Sequence, residues 1–159
     1  MIVVKISENS LAKIGEVVEE LEKRTGAKIR YAGGVLYVEG DDSNEWICEQ
    51  VLNAISNGFS TKNAFKLFSD EYFTDEIDLE KAVWNNEKAL GRIKGRIIGG
   101  KGKAKKTIEE LTGARIVIGE KKVFFLGRFD EVKNAKEAVL RLMEGAKHAQ
   151  VYNYLRRLS

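Results

Sequence analysis

The chain has no proline, one cysteine and one histidine in its 159 residues. A lone thiol at Cys48 cannot close a disulfide within the chain, and it suits a reducing compartment. Cys48 and His148 stand in different halves, so neither a Cys/His metal cluster nor a nucleophile–base triad can be assembled from them. Beside Trp46 and Ile47 on an expected helix, Cys48 reads as a buried structural thiol. No apolar run reaches membrane-spanning length, and the strand-like Ile2-Val3-Val4 opens the chain without a signal-peptide layout, so a cytoplasmic protein with no membrane partner is expected. Placed acids, bases and ligands are equally scarce. The expectation is therefore binding without catalysis: no enzyme, no catalytic residue, no metal and no cofactor. Asp70, Glu71, Asp75, Glu76 and Asp78 form an acidic cluster, but their spacing fits no metal-ligand loop, and a solvated acidic strand or a protein-docking patch is the better reading.

The net charge of +3 hides an asymmetry. Residues 1–80 hold 8 Lys+Arg against 16 Asp+Glu, and residues 81–159 hold 19 against 8, giving −8 and +11. A basic half beside an acidic half points to a nucleic-acid face on the second half only.

An internal repeat divides the chain in two. Thr25-Gly26-Ala27-Lys28-Ile29 returns as Thr112-Gly113-Ala114-Arg115-Ile116, and the same register lays Leu36-Tyr37-Val38-Glu39-Gly40 over Val123-Phe124-Phe125-Leu126-Gly127. Carried backwards, it sets Ala12-Lys13-Ile14-Gly15 against Gly99-Gly100-Lys101-Gly102. The first copy thus lacks the leading glycine, and Glu16, Glu19, Glu20 and Glu22 follow it where the second copy has lysines, so it suits protein contact or packing better than RNA. Two domains are expected, residues 1–69 with a connector helix and residues 70–159 with a C-terminal tail. In the connector, Gly58 ends one helix and Ser60 or Thr61 caps a short next one. Phe59, Ala64, Phe65, Leu67 and Phe68 make it too apolar for a free tether, so the two domains are expected to pack as one rigid unit.

The stretch Gly91 to Thr107 joins a glycine-rich turn, the apolar pair Ile97-Ile98 and seven cations with no acid among them. Such a turn brings backbone N–H groups and positive charge up against phosphates. Ile108 to Leu111 completes a helix, Thr112-Gly113 stops it, and Arg115-Ile116-Val117-Ile118 reads as a strand. That order resembles the KH domain, whose core runs Ile-Gly-x-x-Gly, helix, Thr-Gly, strand; here Ile98-Gly99-Gly100-Lys101-Gly102 supplies the turn. The resemblance spans Tyr72 to Met143 and implies a loop that clamps a few single-stranded nucleotides beside a strand that reads their bases. A rival reading, a phosphate-binding P-loop over Gly95 to Lys101, fails at the eighth position, where Gly102 offers no hydroxyl for Mg²⁺. A plain surface turn is the third reading.

The expected fold class is α+β, two tandem type I KH domains of order β-α-α-β-β-α. In the first, strands are expected near 2–6, 27–32 and 34–39, with helices near 10–25 and 43–57. In the second, strands are expected near 72–79, 115–118 and 122–126, with helices near 86–94, 101–111 and 130–143, the last capped by Asp130. Val132, Ala135, Ala138, Val139 and Leu142 form that helix's core stripe. In the tail, Lys147, Tyr152, Tyr154, Arg156 and Arg157 suit either RNA stacking or a packing helix.

With Asn57-Gly58-Phe59-Ser60, Ile93 to Gly99, Val123-Phe124-Phe125-Leu126-Gly127 and the closing Val151-Tyr152-Asn153-Tyr154, nearly the whole chain resembles the partner-of-Nob-one family of small-subunit ribosome-assembly factors. It departs in one place, with Gly-Gly-Lys-Gly where many members have Gly-Lys-Gly-Gly. The resemblance implies binding near the 3′ end of small-subunit rRNA, with the endonuclease that trims that end and a translation-initiation-factor subunit as partners. In the expected mechanism, N–H groups of Gly100 to Gly102 and the following helix hold phosphates after the turn at Gly99. Arg92, Lys94, Arg96, Lys101, Lys103, Lys105 and Lys106 supply the field. Ile97 and Ile98 floor the groove, unless Ile97 is pure core, and Arg115, Ile116, Val117 and Ile118 face the bases. Two alternatives stay open: a protein scaffold that touches RNA weakly through an acidic first domain, and a generic messenger-RNA or exosome-type KH binder.

Overall fold

Leu36 and Val38 are fully buried while Tyr37 between them is only half-buried, the period-two signature of a sheet with one covered face. In the computed structural model, which describes residues 1–158, this strand is the centre of a three-stranded antiparallel sheet. It lies in Met1–Asp70, the first of two units into which the chain divides; the second begins at Glu71. The first unit runs β1 (Ile2–Lys5), α1 (Leu11–Thr25), β2 (Lys28–Ala32), β3 (Val35–Glu39), α2 (Asp42–Ser56), with strand order β1-β3-β2. Ile14, Val17 and Leu21 of α1 and Val51, Leu52 and Ile55 of α2 form its core. Cys48 is buried among them, and that burial pushes its thiol pKa up.

The connector folds onto its own unit. The Ser60 hydroxyl accepts from the Asn63 N–H at 3.1 Å and caps α3 (Thr61–Phe65), and Phe59, Ala64 and Leu67 are buried. The Arg24 guanidinium lies 5.0 Å and 5.1 Å from the Phe65 and Phe68 ring centroids.

The expected β-α-α-β-β-α order is not met here. One α-helix, not two, joins β1 to β2, after a single 3-10 turn at Glu8–Ser10. Val3 pairs with Tyr37 and Glu76 with Phe124; Tyr37 and Phe124 are 87 residues apart but Val3 and Glu76 only 73, so the first half is 14 residues shorter at this point. The five residues between Lys5 and Leu11 hold only that turn, and α1 runs straight through Ala12-Lys13-Ile14-Gly15. The first unit has no counterpart of the Gly99–Gly102 loop.

The second unit runs β4 (Tyr72–Asp78), α4 (Leu79–Ala82), α5 (Glu87–Ile98), α6 (Lys103–Thr112), β5 (Arg115–Ile118), β6 (Lys122–Arg128), α7 (Phe129–Met143), α8 (His148–Leu158), with strand order β4-β6-β5. The core joins Ile97, Ile108, Ile116, Val123 and Phe125 to the expected α7 stripe and to Val151 and Leu155 of α8. Two expected boundaries move. Helix α5 continues past Lys94 to Ile98, because one glycine inside a helix costs only about 1 kcal/mol and does not stop it. Helix α7 starts one residue earlier than expected, with Arg128 and not Asp130 as N-cap: the Glu131 carboxylate reaches back to the Arg128 N–H at 2.8 Å. Four of the five residues of the acidic cluster in and beside β4 have partners. Asp75 pairs with Lys136 (3.0 Å), Glu76 with Lys122 (2.7 Å) and Glu71 with Arg128 (3.8 Å), and the Asp78 side chain caps α4. Among the described residues no group of His, Cys, Asp or Glu is placed to hold a metal, and no helix is long and apolar enough to cross a membrane.

The same latch closes each half. The Glu22 carboxylate accepts from the Ile29 N–H at 3.0 Å, and the Glu109 carboxylate accepts from the Ile116 N–H at 2.9 Å. Thr25 and Thr112 donate to the carbonyls of Leu21 and Ile108, and each hydroxyl accepts from the N–H two residues on.

Candidate nucleic-acid interface

Between α5 and α6 the chain reverses within Gly99 to Gly102. Gly99 has φ +77°, ψ 169°, a region open only to glycine, and a Cβ there would lie 2.6 Å from the Ala104 backbone nitrogen. Lys101 follows in the left-handed region at φ 56°. The Gly102 N–H closes the turn onto the Gly99 carbonyl at 3.1 Å, so this donor is spent inside the loop. Among the described residues the N–H groups of Gly100 and Lys101 find no acceptor. Two adjacent N–H groups just before α6 are thus open to an acceptor from outside the chain. Because Glu87–Ile98 is helical, the residues a P-loop would need as loop lie in a helix, and that rival reading is excluded.

The cations divide into those that are occupied and those that are open. Arg96 is occupied: its guanidinium donates to the carbonyls of Leu142, at 2.9 Å, and Ala146, closing the C-terminal end of α7. Lys94 donates to the Glu120 carbonyl at 3.2 Å, and Lys105 pairs with Glu109 at 3.3 Å. Arg92, Lys101, Lys103, Lys106 and Arg115 are exposed and carry no ion pair among the described residues. Of the apolar pair, Ile98 is 36% exposed and Ile97 is fully buried, so Ile97 belongs to the core and cannot floor a groove. Ile116 is likewise core, at 2% exposed, and its outward N–H is taken by Glu109. Val117 and Ile118 are half-buried on β5, the edge strand of the sheet. The structure therefore brings Arg92, Ile98, the loop, Lys101, Lys103, Lys106, Arg115 and the β5 edge to the surface and turns Arg96, Ile97 and the Ile116 side chain away from it.

Two further residues stand at the loop. Helix α8 places His148 and Tyr152 beside Gly99, Gly100, Lys103 and Ala104, around a cavity of about 270 Å³. The His148 Nε2–H donates to the Arg96 carbonyl at 2.8 Å. Interleaved aromatics and cations in the tail were the sequence signal for this helix, but nothing in the sequence separates Tyr152 from Tyr154, which lies under the Arg141 guanidinium at 3.7 Å.

Residues 74–159, which hold the glycine loop, the helix closed by Thr112-Gly113 and the edge strand after it, match the family model for the second KH domain of PNO1, a eukaryotic type KH-domain (KH-domain type I). The KH domain-containing protein MJ0443 of Methanocaldococcus jannaschii is 37% identical, over 92% of this chain and 67% of that one. The chain belongs to the Pno1/Dim2 family. The pre-rRNA-processing protein PNO1 of Coccidioides immitis is 32% identical over 68% of this chain and 43% of its own length. Among solved structures, a chain of the a/eIF2alpha–aDim2p–rRNA complex of Pyrococcus horikoshii OT3 superposes with a TM-score of 0.84 at 33% identity, covering 99% of this chain and 92% of that one. The protein spans less than half the length of the eukaryotic Pno1 relatives it matches.

Proposed function

We propose that this protein binds single-stranded RNA near the 3′ end of small-subunit rRNA and acts as a small-subunit assembly factor in the cytoplasm, without catalysing a reaction. The observation that carries the reading is the Gly99–Gly102 loop: two open N–H groups just before α6, with Lys101, Lys103 and Lys106 in the loop and on the first turn of that helix, exposed and without a carboxylate partner among the described residues. The N–H groups hold phosphates, the open cations supply the field, and Arg115 with the β5 edge meets the bases. Support comes from relatives: a pre-rRNA-processing protein, an RNA-binding protein, and a Dim2p solved with rRNA and the α subunit of an initiation factor. An initiation-factor subunit and the 3′-end-trimming endonuclease are the proposed protein partners. The two halves are read as tandem KH-derived domains, on the strength of the Glu22 and Glu109 latches at equivalent positions; the first unit, without the loop, takes no phosphate.

The scaffold alternative draws less support than the sequence alone lent it. Drawn at the unit boundary, the first unit holds 8 Lys+Arg against 11 Asp+Glu, a net of −3, because Glu71, Asp75, Glu76, Asp78 and Glu80 belong to the second.

The test is fluorescence anisotropy with a labelled oligomer of the rRNA 3′ end beside a shuffled one, at two salt concentrations. Tighter binding of the ribosomal sequence is expected at both. The double substitution Gly100→Asp with Lys101→Asp is expected to abolish binding with an unchanged melting temperature, since Gly100 has open space around it and Asp tolerates the left-handed backbone at position 101. Undiminished affinity in that variant would sink the reading.

A further inference from the structure

The cavity behind the glycine loop points to a second contact with the bound strand. Lys105 and Glu109 of α6 face β5, as the bond from Glu109 to the Ile116 N–H shows. Each residue of a helix turns by about 100°, so Lys103 points about 200° away from Lys105. The cavity lined by Lys103 and Ala104 therefore opens on the flank of α6 opposite the β5 groove, with Gly99 and Gly100 between the two. Its other wall is the aromatic edge of α8. His148 is anchored there by its bond to the Arg96 carbonyl, and its ring centroid lies 6.2 Å from that of Tyr152 at 48°. Val151 and Leu155, 1% and 2% exposed, fix the helix in the core, so Tyr152 is held on a rigid element. Tyr154 has its face covered by Arg141, whereas the Tyr152 hydroxyl has no hydrogen-bond partner among the described residues.

We propose that this cavity is a base-binding subsite: a nucleobase flanking those in the β5 groove folds over the glycine loop and stacks on Tyr152, with its phosphate on Lys103. The volume suits the occupant, since about 270 Å³ lies just below the usual range of sites for whole small molecules and takes a single ring system. The charge suits it as well, because Lys101, Lys103 and Lys147 are exposed and carry no ion pair among the described residues. Gly100, without a side chain, leaves the path over the loop clear. An aromatic face takes any base, so the subsite adds affinity and reach with little sequence preference, and the free hydroxyl can meet a base edge.

This inference rests on the RNA-binding reading, and the experiment separates the two. Anisotropy titrations compare a four-nucleotide oligomer, which fills the β5 groove alone, with an eight-nucleotide oligomer carrying the same core flanked on both sides. The Tyr152→Ala variant is expected to lose about five- to a hundredfold in affinity for the longer oligomer, with the shorter one bound within twofold of wild type. Tyr152→Phe keeps most of the affinity, and the double aspartate variant loses both oligomers. Wild-type affinity of Tyr152→Ala for both lengths would overturn the subsite and leave the proposed function standing; failure of the wild type to bind either would overturn the proposed function first. If Tyr152→Ala melts early, Tyr152→Leu keeps the apolar volume, and photo-crosslinking of the wild type to the eight-nucleotide oligomer with 4-thiouridine at each flanking position is read by mass spectrometry. Cross-links at Tyr152 support the subsite, and cross-links confined to the loop and β5 refute it.

Discussion

Gly99 is the residue on which the loop depends, for two reasons that add. Its backbone angles belong to a region that costs a residue with a side chain about 1–3 kcal/mol, and a Cβ would meet the Ala104 backbone, which cannot swing aside. Gly99→Ala is expected to destabilise the protein by about 2–4 kcal/mol in urea titrations. Gly102 is left-handed too, at φ +74°, but nothing lies within 4 Å of its missing Cβ, so Gly102→Ala should cost only about 1–2 kcal/mol. Equal losses at the two positions would mean that the close approach to Ala104 contributes nothing. The two isoleucines before the loop divide in the same way: Ile97 holds the core together, and Ile98, more than a third exposed, is the one that can touch a ligand. Their adjacency in sequence hides this, because on a helix neighbours point about 100° apart.

Helix α6 and strand β5 are held side by side by one carboxylate. Glu109 accepts the Ile116 N–H, at a residue 2% exposed, and its charge is met by Lys105. Removing it strands a buried donor, so Glu109→Ala is expected to cost about 1–3 kcal/mol by urea denaturation, and Glu109→Gln clearly less because it keeps an acceptor. Glu22→Ala is expected to cost less than Glu109→Ala, since Ile29 is only half-buried. A loss at Glu109 no larger than at an exposed glutamate such as Glu110 would refute the latch. These elements were largely legible in the sequence: the Thr-Gly-Ala register located α6, β5, β6 and α7 from their counterparts because each copy repeats the same apolar period. The missing helix of the first unit was not legible, since a register read forwards from Thr25 carries no mark of residues deleted upstream. Nor was the task of Arg96. Its acceptors lie 46 and 50 residues away, so in sequence it is simply one more cation in a basic run. The tail's cations and aromatics left a packing helix open, but where the Tyr152 edge of α8 rests depends on a long-range contact with α5, the bond from His148 to the Arg96 carbonyl.

Net charge alone would overstate how much of the protein's basicity can reach a nucleic acid. The second unit holds 19 Lys+Arg against 13 Asp+Glu, a net of +6. Much of that positive charge is balanced in place: Lys121 sits 3.4 Å from Glu80, and Lys122, Lys136 and Arg141 each have a carboxylate within 3.2 Å. Of the exposed cations without an ion pair among the described residues, Arg92, Lys101, Lys103, Lys106 and Arg115 lie on α5, the glycine loop, α6 and β5, while Lys81, Lys88, Lys133 and Arg157 lie on α4, the start of α5, α7 and α8. A strand that neutralises about three or four phosphates at the first of these groups should show a salt slope of about −2 to −3, a loss of about 20- to 50-fold in affinity between 50 and 200 mM salt. The slope also reports which cations act. Lys101→Ala combined with Lys103→Ala removes two open charges and should flatten it by about 1.4, whereas Lys121→Ala combined with Lys136→Ala removes two paired charges and should leave it within about 0.3. Anisotropy titrations at four or five salt concentrations measure both. If the two double variants flatten the slope equally, RNA responds to the summed charge of the unit and the loop has no privileged place. If only the first does, the phosphates lie where Gly100 and Lys101 leave their N–H groups open.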